Sequence, residues 1–172
     1  MRSQKKRSEE PEASRPHMPG YGLLPADQGR GLLPWIWAQK RLEQARRYWL
    51  STVSPDGAPH AMAVWGIWVD DTLYFSTGRR TRKARNVARN PRCAIGVERG
   101  IEAVIVEGIV RRVTRRARIR QLSARYKKKY GMGLDPRIGG VYAVEPRVVF
   151  AFIENEKDFP GTATRWRFRD SP

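Results

Sequence analysis

Histidine and cysteine are what this chain has least of, and its acid is scarce beside its base. Two histidines, His17 and His60, and one cysteine, Cys93, offer no zinc-type ligand spacing and no internal disulfide. A lone cysteine in a strand-like stretch (Arg92–Val97) fits a buried structural thiol in a reducing compartment. There is no Gly-x-Ser-x-Gly elbow, and His60 has no evident acid–nucleophile pair, so covalent triads find no support. Neither Gly-x-Gly-x-x-Gly nor a Walker lysine loop occurs, which removes the dinucleotide and P-loop classes. No uncharged apolar run reaches the roughly 18 residues that span a bilayer. The start, Met1–Arg7, leads into polar residues rather than a secretory core. A soluble, cytoplasmic protein is the expectation.

Base is abundant where acid is scarce. The 172 residues carry 34 Lys or Arg against 17 Asp or Glu, a net charge of +17. Most of the excess lies between Gly78 and Lys129, where 18 cations face only Glu98, Glu102 and Glu107. Such a field draws anions: a phosphorylated cofactor, a polyanionic tail, nucleic acid or a charged lipid surface. One part of it is Leu73–Pro91, LYFSTGRRTRKARNVARNP. The pattern predicts a strand, a turn at Gly78, and a helix capped by Thr81 and stopped by Pro91. Arg82, Lys83 and Arg85 crowd that helix's first turn, where the macrodipole disfavours each cation by roughly 0.3–1 kcal/mol. Free amides, a hydroxyl and cations at one helix start make a phosphate site. With so little acid–base equipment elsewhere, the chemistry is expected to reside in a bound cofactor.

Around this stretch the chain is expected to order as follows. Residues 1–20, rich in Pro and charge, form a disordered basic tail, and 21–172 form a single domain. Tyr21–Pro34 lies as an extended arm. A helix runs from Trp35 to about Arg47, with Ile36, Leu42 and Ala45 on its apolar face. Tyr48–Ser54 turns at Pro55-Asp56-Gly57 into one long strand, Ala58–Val69, in which Gly66 marks a bulge or a close approach. Asp70-Asp71 returns it to Leu73–Thr77. Strands Arg92–Glu98 and Ala103–Val113 follow the capped helix. Thr114–Tyr130 is a second long helix whose cationic face is either solvated or a binding surface. Strands Val141–Val144 and Val148–Ile153 are broken by Glu145-Pro146, and Thr162–Phe168 closes the chain. The fold class is α+β: six to eight antiparallel strands in a split β-barrel with two or three flanking helices.

The succession TVSPDGAPHAMAVWGIW, LYFSTGRRTRKARNVARNP, AVIVEGIVRRV and TATRWRF resembles the pyridoxamine 5'-phosphate oxidase-like split-barrel superfamily. More closely it is similar to the actinobacterial branch of F420-dependent flavin/deazaflavin oxidoreductases. The resemblance implies a homodimer holding F420, or alternatively FMN, in a groove between protomers, and an unsaturated small-molecule substrate. It places Val64 and Trp65, on strand Ala61–Trp68, along the ring system. Ser76, Thr77, Thr81, Arg82, Lys83 and Arg85 would bind phosphate. Departures set the branch: the FMN-using oxidases carry an Arg and a Lys where this chain has Met62 and Ile67, and a Gln where it has Ala103. Their C-terminal Arg and His motif is replaced by Thr164–Phe168. Arg165 and Trp166 would wall a substrate pocket across the dimer interface, and His60 is the one candidate proton donor. Residue chemistry alone leaves Trp65 and Trp68 open between ring and core, and expects Asn86 in solvent. A non-catalytic flavin, F420 or tetrapyrrole carrier is the competing class. No membrane or nucleic-acid partner is expected.

Overall fold

The computed structural model describes residues 10–169. In chain order its elements are β1 (Glu12–Ser14), α1 (Trp35–Gln44), β2 (Tyr48–Val53), β3 (Pro59–Val64), β4 (Gly66–Val69), β5 (Thr72–Thr77), α2 (Arg82–Arg89), β6 (Arg92–Arg99), β7 (Glu102–Arg112), α3 (Arg116–Tyr130), β8 (Gly140–Ile153), α4 (Phe159–Thr162) and β9 (Thr164–Arg167). All pairings are antiparallel. The main sheet order is β1-β9-β8-β7-β6-β2-β3, with β5 joining β4 to β8, and the sheet does not close. This is the expected α+β split-barrel architecture.

Alternation of apolar residues sets the inner side. Leu50, Ile95, Val106, Val144 and Val149 form a core over which α1 lays Trp35, Ala38 and Leu42. A second core joins Ile67, Val69 and Tyr74 to Ile119, Leu122 and Tyr126 of α3. The β4–β5 hairpin turns at Asp70 (φ 51°) and Asp71 (φ 55°), the paired left-handed conformation that twists with its strands. Trp35 Nε1 and Gln39 Nε2 both donate to Asp71 Oδ1, at 3.3 and 2.7 Å, fastening α1 to that turn.

Several expectations are corrected. In α1 the buried face is Trp35, Ala38 and Leu42, while Ile36 is 52% exposed, because the helix turns its first Trp inward. The long strand 58–69 is two strands with a corner at Trp65: β3 pairs with β2, and β4 leaves to pair with β5. Conversely, the two strands expected around Glu145-Pro146 are one. Pro146 stands opposite Gly108 and the next pair is Val148 with Glu107, so Arg147 is an extra residue in a bulge that absorbs the proline. Among the described residues the strands number nine rather than six to eight, and the helices four, because the residue pattern signals neither β1 nor the short α4.

Of the tail expected to be disordered, Lys5-Lys6-Arg7 lies outside the described residues. Glu12–Ser14 instead pairs with β9. Arg15 spends its guanidinium on the carbonyls of Leu24, Pro25, Gly161 and Ala163, at 2.8–3.2 Å. Composition misses an anchor made by one side chain against backbone oxygens.

Gly108 is the tightest point of the bulge, since a Cβ there would lie 2.5 Å from the Glu145 carbonyl oxygen. Gly108→Ala should therefore destabilise the fold by about 1–3 kcal/mol, read as a lower urea midpoint; an unchanged midpoint contradicts the packing described.

Candidate functional site

The start of α2 is built as its sequence requires. Thr81 caps the helix by accepting from the Ala84 amide at 3.3 Å, donates to Gly78 O at 2.9 Å and lies 3.2 Å from the Thr77 hydroxyl. Ser76 Oγ donates to Gly140 O at 3.1 Å, tying β5 to the start of β8. No acid occupies the first turn. Arg82 reaches sideways to Ser54 Oγ, at 3.0 and 3.3 Å, and Arg85 turns back to Arg80 O at 3.0 Å. Lys83 is half-buried and has no hydrogen bond or ion pair among the described residues. An unpaired lysine beside helix-start amides that the cap does not serve is an incomplete electrostatic unit. It fits a phosphate: the amides donate, and Lys83 supplies the counter-charge.

Asn86, expected in solvent, is 2% exposed and donates to Thr52 Oγ1 at 3.0 Å. It pins α2 to β2. The signal was its position beside Val87 and two residues after Ala84, on the helix's inward face.

The second half of the site is the corner between β3 and β4. Gly66 stands opposite Phe75, so this corner and Ser76–Thr77 share one end of the β4–β5 pair. Val64 is buried, whereas Trp65 is 47% exposed and stacks on Tyr130, with ring centres 5.1 Å apart and planes at 2°. The Tyr130 hydroxyl sits 3.0 Å from Gly66 N, 2.7 Å from Gly66 O and 2.8 Å from Arg46 O. Lys129 Nζ donates to Gly66 O, Glu43 O and Tyr48 Oη at 3.1–3.2 Å. The close approach expected at Gly66 is thus made by the chain itself: a Cβ would meet Leu73 Cδ1 at 2.9 Å and Tyr74 O at 3.0 Å. Lys129 was grouped with a cationic face, yet it points inward. Burial, with Arg46 nearby, lowers its pKa to about 8. Burial also drives the Tyr48 hydroxyl well above the usual tyrosine range.

Other candidates fall elsewhere. Trp166, expected to wall a substrate pocket, is 1% exposed in the core, edge-on to Trp35 at 5.4 Å. Alternation along β9 turns it inward while Arg165 points outward to Ser14 Oγ at 3.0 and 3.2 Å. Trp68 is likewise a core residue against Trp35. His60 lies opposite Thr52, the partner of Asn86, and its imidazole has no hydrogen bond among the described residues. Cys93 is half-buried, and burial pushes its thiol up to about 12, which suits a structural role. Among the described residues no group of three metal-ligating side chains comes together, and no helix is long and apolar enough to cross a membrane.

The clamp has a pH signature. Lys129 binds its proton less readily folded than unfolded, so between about pH 8 and 10 the unfolded state holds more protons. Stability conferred by this site should rise as pH climbs through that window. The melting temperature of the native chain should therefore gain on that of Lys129→Met between pH 7 and 9.5; parallel profiles would refute a buried ammonium.

The family model described as pyridoxamine 5'-phosphate oxidase matches residues 38–156, from within α1 to just past β8. No curated protein sequence matches the chain. Among solved structures, a conserved hypothetical protein from Mycobacterium tuberculosis is similar with a TM-score of 0.63 at 21% identity, covering 72% of this chain and 87% of that one. An F420 reductase is similar with a TM-score of 0.55 at 24% identity, over 64% of this chain and 94% of the other. A FAD-binding protein from Mesorhizobium loti gives 0.55 at 16% identity, over 77% and 94%. At these identities the likenesses speak for the fold. The family match, which spans both halves of the site, goes further: this chain belongs to the pyridoxamine 5'-phosphate oxidase family.

Proposed function

We propose that the chain is an oxidoreductase using a phosphorylated flavin-type cofactor, coenzyme F420 in preference to FMN, with the phosphate held at the start of α2. The observation that carries this reading is Lys83: half-buried, unpaired among the described residues, and set beside helix-start amides with no acid to balance it. Supporting the preference, residues 59–69 contain no Lys or Arg: Met62 stands where the FMN-using oxidases carry a phosphate-binding Arg, and the buried Ile67 where they carry a ring-contacting Lys. The chain's cationic surplus suits the more acidic deazaflavin, and an F420 reductase shares the fold.

The cofactor, when bound, supplies hydride transfer to or from an unsaturated small organic molecule. The chain's share is positioning. Lys83 and the Arg82 and Lys83 amides fix the phosphate end, and Arg82 is pre-set by Ser54. The β3–β4 corner, held by Tyr130 and Lys129, presents backbone and the Trp65 ring to the flat end. Holding both ends restricts the ring to one face of the groove and excludes water from it.

The reading also includes a homodimer. The outward face of β2, β6, β7 and β8 carries Trp49 (58% exposed), Ala94, Gly96, Ala103, Ile105 and Phe150, where a solvated sheet face would be polar. A second copy covers such a face. Trp49→Glu should shift the sedimentation coefficient from dimer to monomer; a wild-type monomer at micromolar concentration rules the dimer out.

Fluorescence titration tests the cofactor. F420 should bind more tightly than FMN, and Lys83→Ala should weaken F420 binding about tenfold, the worth of one charge-assisted contact. Tight FMN binding without F420 binding would make this an FMN enzyme. Binding without turnover on any acceptor would make it a carrier.

A further inference from the structure

A second cluster of cations lies away from Lys83, on the far side of the Ser76–Gly140 contact. The end of β7, the start of α3, the loop before β8 and the β5–α2 loop enclose a cleft of about 310 Å³. Its charged lining consists of Arg79, Arg112, Arg116 and Arg137, and no carboxylate lines it. Arg112 and Arg116 are four residues apart, but Arg79 and Arg137 come from distant segments, so proximity in sequence does not explain the convergence of all four.

Each is held differently. Arg79 is fixed by donating to Pro136 O at 2.9 Å. Arg137 is paired with Asp135 at 2.8 Å, an acid outside the lining that balances one charge. Arg112 and Arg116 have neither a hydrogen bond nor an ion pair among the described residues. Gly139 and Gly140 also line the cleft. A Cβ on Gly139 would sit 2.8 Å from Thr77 O, so glycine there lets this loop lie close against β5. At the rim, α3 begins without a side-chain cap and without an acid in its first turn. Unbalanced guanidiniums gathered in a concave site repel one another, and a bound anion removes that cost. Guanidinium forks match phosphoryl oxygens two at a time, and the three left unbalanced exceed what a single phosphate oxygen pair needs.

We infer that this cleft is a second anion site, specific for a multiply charged phosphoryl group of the diphosphate kind, held by Arg112 and Arg116 against a frame of Arg79 and Arg137. It does not depend on the identity of the cofactor at α2. Neither F420 nor FMN carries a diphosphate, so the source is a separate diphosphate-bearing molecule.

Calorimetric titration of the full chain with inorganic pyrophosphate, at constant ionic strength, tests it. In Lys83→Ala, which removes the counter-charge of the α2 site, saturable one-to-one binding is expected, weakened about tenfold or more when Arg112→Gln/Arg116→Gln is added. No saturable binding, equal binding by the double variant, or loss of binding in Lys83→Ala alone would each overturn the assignment. Titrating F420 and FMN into the double variant checks the source: unchanged affinity is expected, and a fall in cofactor affinity would overturn the assignment to a separate diphosphate-bearing molecule. Failure of F420 binding with pyrophosphate binding intact would sink the cofactor reading and leave this site standing.

Discussion

The ladder between β7 and β8 runs from Glu102↔Ile153 to Arg112↔Tyr142, while the other edge of β8 is divided between β5 and β9. That exchange of partners is what the remaining geometry depends on. The bulge at Arg147 lets one 14-residue strand bend away from β9 and toward β5 without losing β7. Its Gly140 end then meets Ser76 and Thr77, where α2 begins, and the end of β7, where α3 begins. Two helix starts rich in cations are thereby brought to one end of one strand. Gly108 and Pro146, unremarkable singly, face each other because a bulge can use the close approach of the first and the missing amide of the second.

Electrostatics at that end run against stability. Neither α2 nor α3 has an acid in its first turn, although acids there are favoured and common. Of the ion pairs among the described residues, Arg41–Glu102 joins α1 to β7 on another part of the molecule, and Arg118–Asp70 faces the β4–β5 turn. Neither balances Lys83, Arg112 or Arg116. A chain selected only for its fold would gain from a Glu at either start. Its absence at both is best accounted for by anions that come from outside the chain.

Local chemistry made much of this legible. The Thr81 cap, the Gly57 and Asp70-Asp71 turns, the Gly131 helix stop and most strand bounds follow from side-chain preferences acting over three or four residues. What sequence could not give is the direction of a side chain whose element may face either way. Lys129 ends a run of three lysines, and only packing of α3 on β4 decides that the third turns inward to Gly66. Trp166 lies between two arginines, and alternation in β9 sends it to the core and them outward. Asn86 and Arg15 were misjudged for the same reason: their partners, Thr52 and the carbonyls near Leu24 and Ala163, are distant in sequence. The arginine cleft was visible only as excess charge until four segments met.

Lys129 also shows why charge count alone does not define a binding surface. Its ammonium is spent on three oxygens of its own chain, and desolvation weakens its hold on the proton, so it adds little to the field outside. It acts instead through Gly66, fixing the corner from which Trp65 projects. Tyr130 does the same from the other side, since its hydroxyl bridges both backbone atoms of Gly66 while its ring backs Trp65. Among the cations left without such partners, Lys83 stands at one helix start and Arg112 and Arg116 beside the other, and Ser76 ties the strand that leads to the first to the start of β8, which borders the second.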